Sequence, residues 1–135
     1  KKKLNMKSFE ILANIENFIN NKEINKAREE FVKIERSGDK NIIKDHNYLF
    51  LRAKLAYLEK LYYFAIDTLL IGLNFTKEKK FYDFLGDIYH EIGNVELGKK
   101  IKDPSMQQDT VDKLKKILSG IPDEKDVKKK LTKNV

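Results

Sequence analysis

Apolar residues recur at helical spacing along nearly the whole chain, and no stretch alternates in the two-residue period of a strand. Ile11, Ile15 and Phe18 share one face of a first predicted helix, from about Ser8 to Asn20. Ile24, Ala27, Phe31 and Ile34 repeat the stripe after the polar Asn20-Asn21-Lys22 turn, up to Ser37-Gly38, where glycine can close a helix in the left-handed region. A loop of Asp, Lys and Asn leads to an apolar run over Tyr48 to Leu58. A break at Glu59-Lys60 precedes a helix carrying Tyr62, Ala65, Leu69 and Leu73. Thr76 is the expected N-cap of the next, whose face is Phe81, Phe84, Leu85, Ile88 and Ile92. Gly93-Asn94 turns the chain into a short helix that must stop before Pro104. Asp103-Pro104 reads as the cap and first residue of a last helix with Val111, Leu114 and Leu118, ended by Gly120-Ile121-Pro122. The fold class is therefore all-α.

Charge divides by position. Of 28 basic groups, four lysines lie in residues 1 to 8 and four in residues 128 to 135, whereas all 21 acids lie between these ends. Residues 9 to 127 hold 20 basic and 21 acidic groups, so the net +7 belongs to the ends and the body is near neutral. Arginine occurs only at positions 28, 36 and 52 among 25 lysines, which together with 14 Ile and 11 Asn reads as an AT-rich, bacterial-type coding sequence. The absence of Cys removes disulfides, thiolate zinc sites and cysteine nucleophiles. The longest charge-free run, Thr68 to Thr76, is far short of the roughly 20 residues that span a bilayer. The chain opens on Lys1, so it is expected to be part of something longer, with any signal or anchor upstream. Envelope and cytoplasm both stay open as locations, with a slight preference for the envelope.

Tyr82, Leu85-Gly86, Tyr89, the Gly93-Asn94 turn and Gly98 form a pattern over residues 81 to 98 that resembles the tetratricopeptide repeat. In that family helix A carries an aromatic, Leu-Gly and Tyr, and helix B carries a small residue where the pair crosses. Carried backwards, the alignment puts Ala65 and Ala27 at the crossing, 33 and 38 residues apart from their successors. Arg52-Ala53 and Asn14-Ile15 stand where Leu-Gly would be, and Lys102 replaces an expected apolar residue. Two antiparallel helices approach closely only if one contributes little volume at the crossing, which gives Ala27, Ala65, Gly86 and Gly98 a packing role. An unrelated helical bundle, with small residues falling at these places by chance, is the competing reading. The resemblance implies about three helix-turn-helix units and a C-terminal helix, stacked as a short right-handed solenoid over residues 8 to 119. A basic extension at 1 to 7 and a charged, fraying tail at 120 to 135 complete the expected organisation.

Catalytic and cofactor signals are weak. Gly93 to Lys100 approaches the phosphate-loop pattern, but Lys100 stands where a hydroxyl would hold magnesium and a helix precedes it. Asp87 and His90 share a helical face and would make half of a carboxylate and histidine metal site, yet Ile43 occupies the matching place before His46. Ser8, Ser37, Ser105 and Ser119 fit no nucleophile motif, and Asn74-Phe75-Thr76 is better used as a helix end than as a glycosylation site. No enzyme activity, cofactor or metal is expected.

The resemblance implies a scaffold or adaptor whose A helices form a groove for another polypeptide. Its positions here are Phe9, Leu12, Glu16 and Ile19, then Asn47, Phe50, Lys54, Tyr57 and Leu58, then Lys80, Asp83, Asp87, His90 and Glu91. Such a groove runs from apolar and aromatic to acidic, suits an amphipathic or partly basic segment, and lacks the Lys and Asn clamp for acidic C-termini. That the terminal helix fills it, and that self-association occurs, both stay open. The alternative function is lysine-mediated binding of nucleic acid or an acidic membrane surface through the chain ends. Specific nucleic-acid recognition is not expected, because the near-neutral body carries only three arginines.

Overall fold

The computed structural model describes residues 6–37 and 39–118. The expectations placed on Gly38, on residues 1 to 5, on residues 119 to 135 and on the Leu118 side chain lie outside what is described. The chain is all-helical: among the described residues there are seven α-helices and a 3-10 turn at Ile42–Lys44, with no strand. The helices are α1 (Met6–Asn20), α2 (Ile24–Arg36), α3 (His46–Leu58), α4 (Tyr62–Gly72), α5 (Lys79–Glu91), α6 (Val95–Lys102) and α7 (Gln107–Leu118). Two compact units divide within α5, between Phe81 and Tyr82.

In the first unit α1 packs on α2, α3 packs on α4, and α1 and α3 also touch. Its core joins Ile11, Ile15 and Ile19 of α1 to Phe31 and Ile34 of α2 and to Tyr48, Leu51 and Leu55 of α3. Full burial of side chains this large contributes about 1.5–3 kcal/mol each. Phe31 meets Tyr48 edge to face at 5.7 Å. The loop expected between α2 and α3 is more ordered than its composition foretold. Ile42 anchors the 3-10 turn in the core at 1 % exposure, and Asp39 accepts hydrogen bonds from the buried Ser8 hydroxyl (2.9 Å) and from the Asn41 amide (3.1 Å). Asp45 caps α3 by accepting from the Tyr48 amide at 3.1 Å. In the second unit α6 packs on α7, and Ile101 and Val111 are wholly buried.

Three turns share one construction. At the end of α1, Lys22 takes φ 58°, and the Glu23 amide reaches back five residues to Phe18 O at 2.8 Å. Lys60 (φ 63°) repeats it with Leu61 N to Ala56 O at 2.8 Å, and Gly93 (φ 96°) with Asn94 N to Tyr89 O at 2.8 Å. Such a bond after a left-handed residue satisfies helix-end carbonyls that would otherwise lack donors. The residues opening the next helices agree as well: Glu23 (φ −88°, ψ 74°), Leu61 (−92°, 68°) and Asn94 (−98°, 71°). Four residues on, the amides of Ala27, Ala65 and Gly98 close the first helical bond at 3.0–3.1 Å.

Some expected boundaries move. The chain is already helical at Met6, two residues before Ser8, and the Ser8 side chain turns inward to Asp39. Thr76 does not cap α5: its hydroxyl oxygen accepts from the Glu78 amide at 3.2 Å in a preceding turn, and the helix starts at Lys79. The last helix starts at Gln107 and not at Pro104; Asp103 instead caps the turn just before it, its carboxylate accepting from the Ser105 amide (2.9 Å) and hydroxyl (2.7 Å). Those bonds to Ser105 hold the Asp103 pKa below the usual carboxylate value.

Candidate functional site

The expected groove residues fall into both units, and each unit is described by itself. In the first, α1 and α3 pack so that Phe9, Leu12, Ala13 and Glu16 face Asn47, Phe50 and Leu51, with Lys80 from the start of α5 alongside. They enclose a cleft of about 180 Å³. Helical spacing explains the lining: Phe9, Leu12, Ala13 and Glu16 lie three and four apart, as do Asn47, Phe50 and Leu51. Phe9 keeps 51 % of its surface exposed, whereas Leu12, at 6 %, belongs largely to the core and shows the cleft only an edge.

Phe50 is the centre of this cluster. Its ring packs on Phe81 with centroids 5.0 Å apart. Two ammonium groups approach the same ring, Lys80 Nζ at 4.6 Å from the centroid and Lys54 Nζ at 5.3 Å, where the ring's negative face attracts cations. Lys80 also pairs with Glu78 at 3.5 Å, and Glu78 accepts His46 Nε2 at 3.0 Å. Asn47 and Lys80, which the resemblance placed in the groove without assigning them a role, therefore stand beside Phe50. Tyr57 does not line this cleft. Its ring meets Tyr62 at 5.6 Å, so it braces the α3–α4 turn.

In the second unit Asp83 is half-buried on α5, and Asp87 and His90 are exposed. Asp87 is ion-paired with Lys102 of α6, so the end expected to be acidic is partly neutralised. The lysine that breaks the family pattern has a use here: its stem covers Gly86, where an added Cβ would sit 2.8 Å from Lys102 Cγ. A Cβ on Gly98 would come within 2.7 Å of the Gly86 carbonyl oxygen, so α5 and α6 touch backbone to backbone at this pair. Ala27 and Ala65 are wholly buried. Among the described residues no group of three His, Asp or Glu side chains gathers as a metal site would require.

A second cleft went unforeseen. About 310 Å³ in volume, it lies between α2 and the α3–α4 pair, with Val32, Leu61 and Phe64 exposed on its rim. Arg52 lies 5.5 Å from the Phe31 centroid and 5.4 Å from that of Phe64, and its guanidinium pairs with Glu35 at 3.1 Å. Tyr48 donates its hydroxyl to the same carboxylate at 2.8 Å. Burial and the Glu35 bond push the Tyr48 pKa well above its ordinary value. Arg28 grips Glu59 with two bonds, Nε at 2.9 Å and Nη2 at 2.8 Å, and that pairing raises its pKa. Two of the three arginines thus line one cleft, where their planar forks do what an ammonium cannot. Their rarity among lysines was the signal available in the sequence.

Compared with known proteins, the chain matches no family model, and no curated protein and no solved structure shows significant similarity to it.

Proposed function

We propose that the chain is a non-enzymatic interaction domain of the tetratricopeptide-like kind. In this reading three helix pairs, α1–α2, α3–α4 and α5–α6, are degenerate copies of one unit, and α7 is the terminal helix. The observation that carries it is the recurrence of one turn, with the same left-handed residue, five-residue back-bond and opening dihedrals, at the 38- and 33-residue spacings that separate Ala27, Ala65 and Gly98. A left-handed residue with a back-bond closes many helices, so the support lies in its recurrence at the spacing of the small residues.

The partner is another polypeptide, and its seat is the cleft of Phe9, Leu12, Glu16, Asn47, Phe50 and Lys80. Part-exposed aromatic surface bordered by charge is the composition of an interface centre with its rim. Lys54 and Lys80 make the rim at Phe50 basic, and Glu16 supplies an acid on the other helix. A segment with one large apolar side chain between opposite charges fits this arrangement.

The test is selection of random displayed peptides on the chain, followed by affinity measurement against a Phe9→Asp, Lys80→Glu variant. Both side chains are exposed, so circular dichroism should stay helical while selected peptides bind at least ~10-fold more weakly. Equal binding to both proteins would remove the cleft from consideration.

A further inference from the structure

We propose that the outer face of α4 joins two copies of this chain in a two-fold dimer. This surface lies apart from the cleft around Phe50 and does not rest on peptide binding there. α4 is apolar on every side: among its 11 residues Asp67 is the only charged one. Ala65, Ile66, Leu69 and Leu70 form its inner face and are buried. A surface helix ordinarily turns a polar face outward, but α4 leaves Tyr63, Phe64 and Ile71 exposed, with Leu61 at its start and Phe75 just past its end. Leu61, Phe64, Ile71 and Phe75 lie three, seven and four residues apart, which puts them along one side of the helix. Thr68 sits in the gap of that stripe, and its hydroxyl donates to the Phe64 carbonyl at 2.8 Å, so its polar group is already satisfied. No helix among the described residues is long and apolar enough to cross a membrane, so the outer apolar face is not that of a bilayer span.

Area, charge and shape identify the occupant. Val32 of α2 extends the patch, on the rim of the cleft of about 310 Å³ that also takes in Leu61 and Phe64. These six side chains are each 42–69 % exposed. At about 200 Å² for a large side chain they present roughly 500 Å², near the upper end for a monomer's apolar patch and more than half of the about 800 Å² that each partner gives to a stable interface. In a two-fold contact the same patch meets itself, so a net charge on it would face its like. Here the bordering arginines are already paired, Arg28 with Glu59 and Arg52 with Glu35, and Asp67 lies to the side of the stripe. A face balanced in this way presents no excess charge for a dissimilar partner to complement, and it is compatible with its own copy. The cleft makes a recess at the Leu61 and Phe64 end, while Ile71 and Phe75 stand exposed at the other. Antiparallel apposition of two α4 helices brings the Ile71 and Phe75 end of each copy onto the recess of the other, so the contact is made twice.

The experiment is sedimentation velocity of the full chain over ~1 to ~100 μM, where mass action should convert monomer to dimer. The limiting mass should be twice the 15.9 kDa of the chain. Ile71→Asp should weaken the dimer at least ~100-fold, because the substitution enters the contact twice, with an unchanged helical circular dichroism spectrum. Tyr63→Asp, at the most exposed position of the patch, gives a second variant should Ile71→Asp disturb folding. Ile117→Asp on α7, a large apolar residue equally open to solvent but off this face, should leave the dimer intact. A chain that stays monomeric throughout would overturn the proposal, as would a dimer indifferent to both α4 variants or growth past the dimer into open-ended assemblies. Monomeric chain whose selected peptides lose affinity on Ile71→Asp would give the face to a different polypeptide and overturn it too. The Phe9→Asp, Lys80→Glu variant should dimerise like the wild type, because neither residue lies on this patch, so failure of the dimer and failure of the cleft reading are separable.

Discussion

Tyr48 shows how much one side chain can couple. It is 4 % exposed, meets Phe31 at its ring edge and donates to Glu35, which also holds Arg52. An ordinary phenol ionises near pH ~10, and burial with an anionic hydrogen-bond partner raises this one further. Below that pH both folded and unfolded chains keep the proton, so the stabilising contact is fully present. Above it the unfolded chain loses a proton that the folded chain retains, and stability falls by up to about 1.4 kcal/mol per pH unit. Tyr48→Phe should cost about 1 kcal/mol near neutrality, through the lost hydrogen bond. Urea midpoints of the variant should then fall less steeply than those of the wild type from pH ~10 upward. Parallel curves would place the alkaline sensitivity elsewhere. The sequence marked Tyr48 as the start of an apolar run, but the carboxylate that its hydroxyl meets lies 13 residues away and depends on how α2 and α3 pack.

At the scale of the element, the turns are the most informative feature. Lysine in the left-handed region is disfavoured by its Cβ, and Lys22 and Lys60 are held there by the back-bonds that close α1 and α3. Gly93 meets the same requirement without strain, and nothing lies within 4 Å of a Cβ placed on it. Lys22→Gly and Lys60→Gly should therefore each stabilise the chain by roughly 1 kcal/mol, less a few tenths for the greater freedom of glycine when unfolded. The readout is the urea midpoint at unchanged slope. A loss of stability at both positions would mean that the lysine side chains contribute more than the backbone strain costs. Sequence inspection located all three turns, since polar or glycine clusters interrupt the apolar stripes there. It did not foresee that three different residue types, Glu23, Leu61 and Asn94, would adopt one conformation, because propensity at a single position is weaker than the closure of two packed helices. The starts of α5 and α7 were misplaced for a related reason. Thr76 and Asp103 are good caps, and each is used in the turn just before its helix.

At the scale of the whole molecule, the ion pairs that lie within single helices contribute little to folding. The pairs Lys26–Glu23, Lys33–Glu30 and Lys113–Asp109 each lie within one helix and keep their lysine side chains 62–72 % exposed. Exposed pairs of this kind contribute about 0–1 kcal/mol each and are screened by salt. Raising sodium chloride from ~0.05 to ~1 M should shift folding stability by less than about 1 kcal/mol. A large loss of folding stability would instead show that the Arg28–Glu59 and Arg52–Glu35 contacts carry much of the fold.

The helical class, the places where the chain turns and most of the buried faces of α1, α2 and α5 followed from sequence alone. These depend on spacing over a few residues, which the 3.6-residue period converts directly into a face. The concentration of positive charge at the ends was legible in the same way. What only the tertiary structure decided are the contacts between residues far apart in the chain. Phe50 meets Lys80 and Phe81, Arg52 lies between Phe31 and Phe64, Ser8 reaches Asp39, and Lys102 covers Gly86. Each depends on the angle and depth at which two helices pack, and that geometry is set by the summed volumes of many side chains, which no local pattern encodes.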